Sequence, residues 1–187
     1  VTISLAPQAD ILMKVIKERH SGRQYNSEKD ISKEQIAFLI EAARWTPSCW
    51  GEEPWRFLIC QKSSDEKGYA KVFESLAAPN QKWAQEAPVF IVVTAKRTFQ
   101  ERPAENHWAA YDTGAAAQTM MLAATSMDLI LHSMGGFSPE SLRENFGISE
   151  DFQILAVMAL GYAAEESLVI RTRKPIEKLF FFDTWGG

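Results

Sequence analysis

Pro88-Val89-Phe90-Ile91-Val92-Val93-Thr94 constrains this chain more than any other stretch. It is almost uniformly apolar and rich in β-branched residues. A strand with one wet face alternates polar and apolar side chains, whereas a strand without alternation buries both faces. The fold therefore needs a central strand covered on both sides. Trp55 to Cys60 and Phe152 to Leu160 supply further strands, the latter closed by Gly161-Tyr162.

The helices have legible ends. Apolar residues recur at helical spacing in Ile11 to Glu18. Ser32 and Gln35 form a capping box before Ile36, Leu39, Ile40 and Ala43, and this helix should stop near Thr46-Pro47. Asp65 to Leu76 reads as a surface helix and Asn80 to Gln85 as a short helix or turn. Ser138-Pro139 starts a helix that Gly147 ends. Strands do not strictly alternate with helices, so the class is α+β: helices around a small central sheet. With no repeat, low-complexity tract or Pro/Gly-rich linker, residues 1–187 read as a single domain.

His107 to Met127 reads as one long helix rich in alanine, almost without charge after Asp112. A helix apolar nearly all round must be buried nearly all round. Either a partner subunit or a central place within a monomer would cover it. The tail carries Leu179-Phe180-Phe181-Phe182 and Trp185, which should pack on a core or wrap a partner.

A net charge of −4 with mixed signs argues against a nucleic-acid binder. No apolar run approaches the roughly 18 residues that span a bilayer. Val1 to Leu5 shows no basic region before an apolar core, so a cytoplasmic location is expected. Cys49, Cys60, His20, His107 and His132 form no metal-ligand spacing, and no metal is expected. Cys60 lies in an apolar run and reads as core. No GxGxxG or GxxxxGK[ST] loop is present.

Arg19-His20-Ser21-Gly22-Arg23 puts two guanidinium groups and a hydroxyl where the first helix ends. Arginine forks suit phosphate oxygens. On this motif alone a solvated basic helix end, favoured by the helix dipole, is the simpler explanation. Three further segments require explanation: Thr46 to Trp55, with Pro47-Ser48-Cys49-Trp50-Gly51; the turn Met134-Gly135-Gly136-Phe137; and Arg171-Thr172-Arg173.

Their order and spacing resembles the nitroreductase family of FMN-dependent, NAD(P)H-using oxidoreductases. The resemblance covers nearly the whole chain, including Asn80 before Ala87-Pro88 and the Ala-rich helix after Asp112. It implies a mostly antiparallel central sheet flanked by helices, and a homodimer with exchanged C-terminal arms and FMN at the interface. By resemblance, Arg19, His20, Ser21, Arg171 and Arg173 hold the phosphate and ribityl chain, and Arg23 reaches the pyrimidine end of the flavin. Pro47, Ser48, Cys49 and Gly51 lie along the flavin from the opposite subunit. Asn80 reaches the ring edge, and the backbone of Met134, Gly135 and Gly136 lies beside the isoalloxazine.

Arg23 would stabilise the negative charge of the reduced form. The flavin carries hydride, so no acid–base pair is required. The chain departs from the family at Gly51, Glu53 and Cys49, where asparagine, glutamine and serine are common; Glu53 adds a negative charge near the site unless it faces solvent or pairs with an arginine such as Arg56. His107 and His132 read as structural; Trp50, Trp108 and Phe137 are core material or the walls of an aromatic slot. The implied activity passes electrons from NAD(P)H to an electron-poor acceptor such as a nitroaromatic or quinone, by ping-pong kinetics. The alternatives are an FMN carrier or sensor with little turnover, and a specialised dehalogenase or biosynthetic oxidoreductase. A lid for the latter has modest support in Thr98 to Asn106.

Overall fold

The apolar run at residues 88–94 becomes β2 (Val89–Lys96), whose first seven residues are all buried. The structure is a computed structural model describing residues 10–102, 104–164 and 171–185. Val1 to Leu5, and with them the reading of a missing signal segment, lie outside the described residues. Side chains alternate along a strand. Phe90 and Val92 therefore join one core, and Val89, Ile91 and Val93 the other. Both cores need helical cover, as the absence of alternation required.

The strands are β1 (Trp55–Gln61), β2, β3 (Leu129–Met134) and β4 (Phe152–Tyr162). They form an antiparallel sheet in the order β1-β2-β4-β3, which makes β1 and β3 its edges. The helices are α1 (Asp10–Glu18), α2 (Lys33–Arg44), α3 (Glu66–Ser75), α4 (Ala78–Ala84), α5 (Ala109–Ser126) and α6 (Pro139–Phe146). One core lies under α3, α4 and α6, with Tyr69, Val72, Ala84 and Leu142. The other lies under α2 and α5, with Leu39, Ala43, Ala116 and Met120.

The capping signals hold. Ser32 and Gln35 form the reciprocal box at α2, Asp65 caps α3, and Ser138 caps α6 with Pro139 in its first turn. Cys60 is core. Of the two ways to cover α5, a central place within a single chain does not hold. The helix buries only a stripe, namely Ala109, Asp112, Thr113, Ala116, Met120 and Ala124. Tyr111, Gly114 and Gln118 are exposed, because sheet and α2 together cover less than its full circumference. Nor does the tail settle on this chain's core: Leu179 is 64% and Trp185 85% exposed, with Phe181 against Trp185 and Phe180 against Phe182.

Candidate functional site

The segment after α1 is held against the β3 side of the sheet. Tyr25 bridges to Ala163, the Asn26 amide donates to the Tyr162 carbonyl at 2.9 Å, and the Tyr25 hydroxyl donates to the Ala159 carbonyl at 3.1 Å. Gly22 is buried here, and a Cβ at this position would stand 2.6 Å from Cδ1 of Ile130. Nδ1 of His132 lies 2.8 Å from the Gly22 carbonyl and donates to it, since a carbonyl only accepts.

Around this anchor the fold gathers cations. Arg171 donates from both terminal nitrogens of its guanidinium to the carbonyls of Arg19 and Lys17. Arg19 reaches the Ser21 hydroxyl at 3.4 Å. Burial, then the charges of Arg171 and Arg173, lower the Arg19 pKa from its usual value. Among the described residues, no carboxylate lies within ion-pairing distance of Arg19, Arg23, Arg171 or Arg173. His20 directs Nδ1 at the Glu18 carbonyl, 3.0 Å away, and leaves Nε2 buried without a partner. Crowded guanidinium groups without a counter-charge make a cradle that an anion would complete, and the buried Nε2 of His20, an acceptor while Nδ1 donates to the Glu18 carbonyl, calls for a donor such as a hydroxyl.

The cradle continues along α4. The Arg23 guanidinium lies 5.6 Å from the centre of the Trp83 ring, and Trp83 stacks on His132 at 4.5 Å. Asn80, one turn before Trp83, donates from Nδ2 to the Gly136 carbonyl at 3.0 Å, and the Ala77 amide donates to the same carbonyl. Gly135 is exposed, with nothing within 4 Å of a Cβ placed there. The Met134 side chain is buried in the core, so only its backbone can face this space. Phe137 also packs against that core.

Pro47, Ser48, Cys49 and Gly51 are placed elsewhere. Their loop precedes β1, the opposite edge from β3; three strand spacings, about 14 Å, separate the two edges. The loop docks on α5: the Thr46 hydroxyl donates to that of Thr119, and the Cys49 amide donates to Asp112 at 2.9 Å. The Glu53 amide donates to the Ser48 hydroxyl. Trp50, Gly51 and Glu53 have φ of 58°, 70° and 45°. Glu53 faces solvent, and Arg56 takes its backbone carbonyl rather than its carboxylate. A groove of about 430 Å³ opens beside Trp50, Gly51, Glu52, Gln100 and Arg102, with the Arg102 guanidinium over Trp50 and Phe99.

Trp83, Asp112 and His132 hold these places together, and of the three only His132 carries an expected role in the sequence, a structural one, which its hydrogen bond to Gly22 and its stacking on Trp83 match. Trp83 lies at helical spacing from Asn80, and Asp112 is a lone carboxylate in an Ala-rich helix; both were weak signals. His132 had no local signal, because its neighbours come from α4 and the 19–23 segment.

An antiparallel sheet covered on both faces, with a cationic cradle along one edge, defines an α+β protein of the nitroreductase fold. The chain belongs to the nitroreductase family, whose sequence profile matches residues 16–162. A relative in Archaeoglobus fulgidus, provisionally named an NADH dehydrogenase/NAD(P)H nitroreductase, is 31% identical over 82% of this chain and 86% of its own length. The NADH dehydrogenase of Thermus thermophilus is 26% identical, over 87% of this chain and 91% of that one. Among solved structures, an oxidoreductase containing FMN superposes with a TM-score of 0.85 at 24% identity, covering 100% of this chain and 96% of that one. Among the described residues no helix is long and apolar enough to cross a membrane, and no cluster of three metal-ligating side chains occurs.

Proposed function

We propose that the chain binds FMN in the Arg19–Gly135 cradle and works as a homodimer that moves electrons from NAD(P)H to an electron-poor organic acceptor, such as a nitroaromatic or quinone. The observation that carries this reading is the uncompensated group Arg19, Arg171 and Arg173, continuous through Arg23, Trp83 and Asn80 with the open backbone at Gly135. FMN supplies the hydride-accepting and hydride-donating ring when bound. Arg19 and Arg173, with Ser21, would neutralise its phosphate, and His20 Nε2 could accept from a ribityl hydroxyl. Arg171 braces Arg19 from behind. Arg23 would meet the negative charge that develops at the pyrimidine end on reduction. Asn80 and the backbone of Gly135 and Gly136 would flank the ring edge.

Pairing of two chains accounts for three features together. The exposed α5 face borders a groove of about 300 Å³ lined by Val93, Ala110, Ala117 and Met121. The aromatic tail is uncovered. The Pro47–Gly51 loop sits at the wrong edge to serve its own cradle but is available to a partner's. The test is the absorption spectrum of purified protein, mass spectrometry of the released ligand, and anaerobic addition of NADH and NADPH. Bound FMN that bleaches supports the proposal; FAD, no flavin, or FMN that never bleaches overturns it in whole or in its enzymatic part.

A further inference from the structure

Arg23 presents a long side chain at the surface, and among the described residues it makes no ion pair and no side-chain hydrogen bond. A side chain with several free torsions does not hold a charge at one point unless something restricts it. Its contact is the face of Trp83. Trp83 is itself fixed from two sides, by His132 at 4.5 Å and 28° and by Tyr25 at 6.4 Å and 20°. His132 is oriented by the carbonyl of Gly22, the residue before Arg23. The contacts thus form a circuit, Gly22 to His132 to Trp83 to Arg23, beginning and ending on adjacent residues.

We propose that Trp83 and His132 are positioning residues that hold the Arg23 guanidinium where reduction of the cofactor places negative charge. This rests on the FMN reading of Arg23 given above. A neutral His132 suits this arrangement, since a second cation stacked on Trp83 would repel Arg23. The groups facing His132 favour that state. Arg19 and Arg23 come from the 19–23 segment, Trp83 from α4 and Ala159 from β4, with no carboxylate among the described ones. Burial, with the charges of Arg23 and Arg19, holds its pKa below the usual value, although the Gly22 carbonyl opposes this.

The experiment measures FMN affinity by fluorescence quenching and the midpoint potential of the bound flavin by dye equilibration. Together these give the preference for reduced over oxidised cofactor. Trp83→Leu is expected to reduce that preference about two- to fivefold, the scale of an exposed cation–π contact. Trp83→Phe, which keeps a ring in the core, gives a smaller loss, and His132→Ala gives a loss like that of Trp83→Leu. The decisive arm is Arg23→Ala: adding Trp83→Leu or His132→Ala to it changes the preference no further. An unchanged preference in the folded single variants overturns the proposal, as does an equal loss with and without Arg23. A wild-type protein that takes up no FMN overturns the site reading instead.

Discussion

The Cys49 amide donates to the Asp112 carboxylate across 2.9 Å, tying the loop before β1 to the first turn of α5. Asp112 is 6% exposed, and its charge lies at the helix end where backbone dipoles favour an anion. Asp112→Ala is expected to cost about 1.5–3 kcal/mol, the range for a hydrogen bond to a charged group. Asp112→Asn keeps an acceptor and should cost less. Urea midpoints at an unchanged slope check this.

Arg173→Ala removes one charge from the cradle without touching the core. FMN retention should weaken about tenfold or more, the equivalent of one charge-assisted contact. Arg171 differs, because its fork spans two carbonyls. A lysine presents a single ammonium in place of that fork, so Arg171→Lys should not restore what Arg171→Ala loses. Equilibrium dialysis against FMN decides both; unchanged affinity in Arg173→Ala removes that residue from the site.

Two glycines separate fold from binding. At Gly161 a Cβ would stand 2.8 Å from Pro88 Cδ and from Tyr25 Cδ1. Gly161→Ala should therefore cost about 1–3 kcal/mol as overpacking, and displace the tyrosine that braces the 19–23 segment. Gly135→Ala meets nothing within 4 Å and should leave the melting temperature unchanged. Lower FMN affinity in this variant would locate the ring over Gly135; wild-type affinity would move it away.

His132 makes stability depend on pH. Its folded pKa lies below the usual value of 6.5, chiefly through burial and then through Arg23 and Arg19 against the Gly22 hydrogen bond. The unfolded chain therefore binds more protons between the two values. The stabilisation is present above pH 6.5, is lost as pH falls towards the folded value, and changes no further below it. The wild type should lose more stability than His132→Gln between pH 7 and pH 5, measured by urea unfolding without flavin. Equal losses would contradict the placement of this ring.

If donor and acceptor use one face of the flavin in turn, steady-state kinetics with NAD(P)H and a quinone should give parallel double-reciprocal lines. Intersecting lines would require both molecules bound together. Truncation before Leu179 should reduce dimer content and FMN content together, read by light scattering and absorbance. A yellow, stable monomer would contradict the shared site.

The features legible in the sequence depend on near neighbours. The Ser32–Gln35 box and the Ser138-Pro139 start are local hydrogen-bond and φ constraints, and the two buried faces of β2 follow from its lack of alternation. Arg19, Arg23, Arg171 and Arg173 were assigned to a phosphate and flavin site only through the family resemblance, because the 19–23 segment by itself reads more simply as a solvated basic helix end. The arrangement among these parts was not legible. Only the order β1-β2-β4-β3 puts the Pro47–Gly51 loop at the opposite edge from Gly135. Only the packing of sheet and α2 leaves one face of α5 open. Arg171 bracing Arg19, Asp112 holding Cys49, and Trp83 between Arg23 and His132 join residues about 50 to 150 positions apart. No pattern of near neighbours encodes such pairs, because they meet only after the strands have paired and both cores have closed.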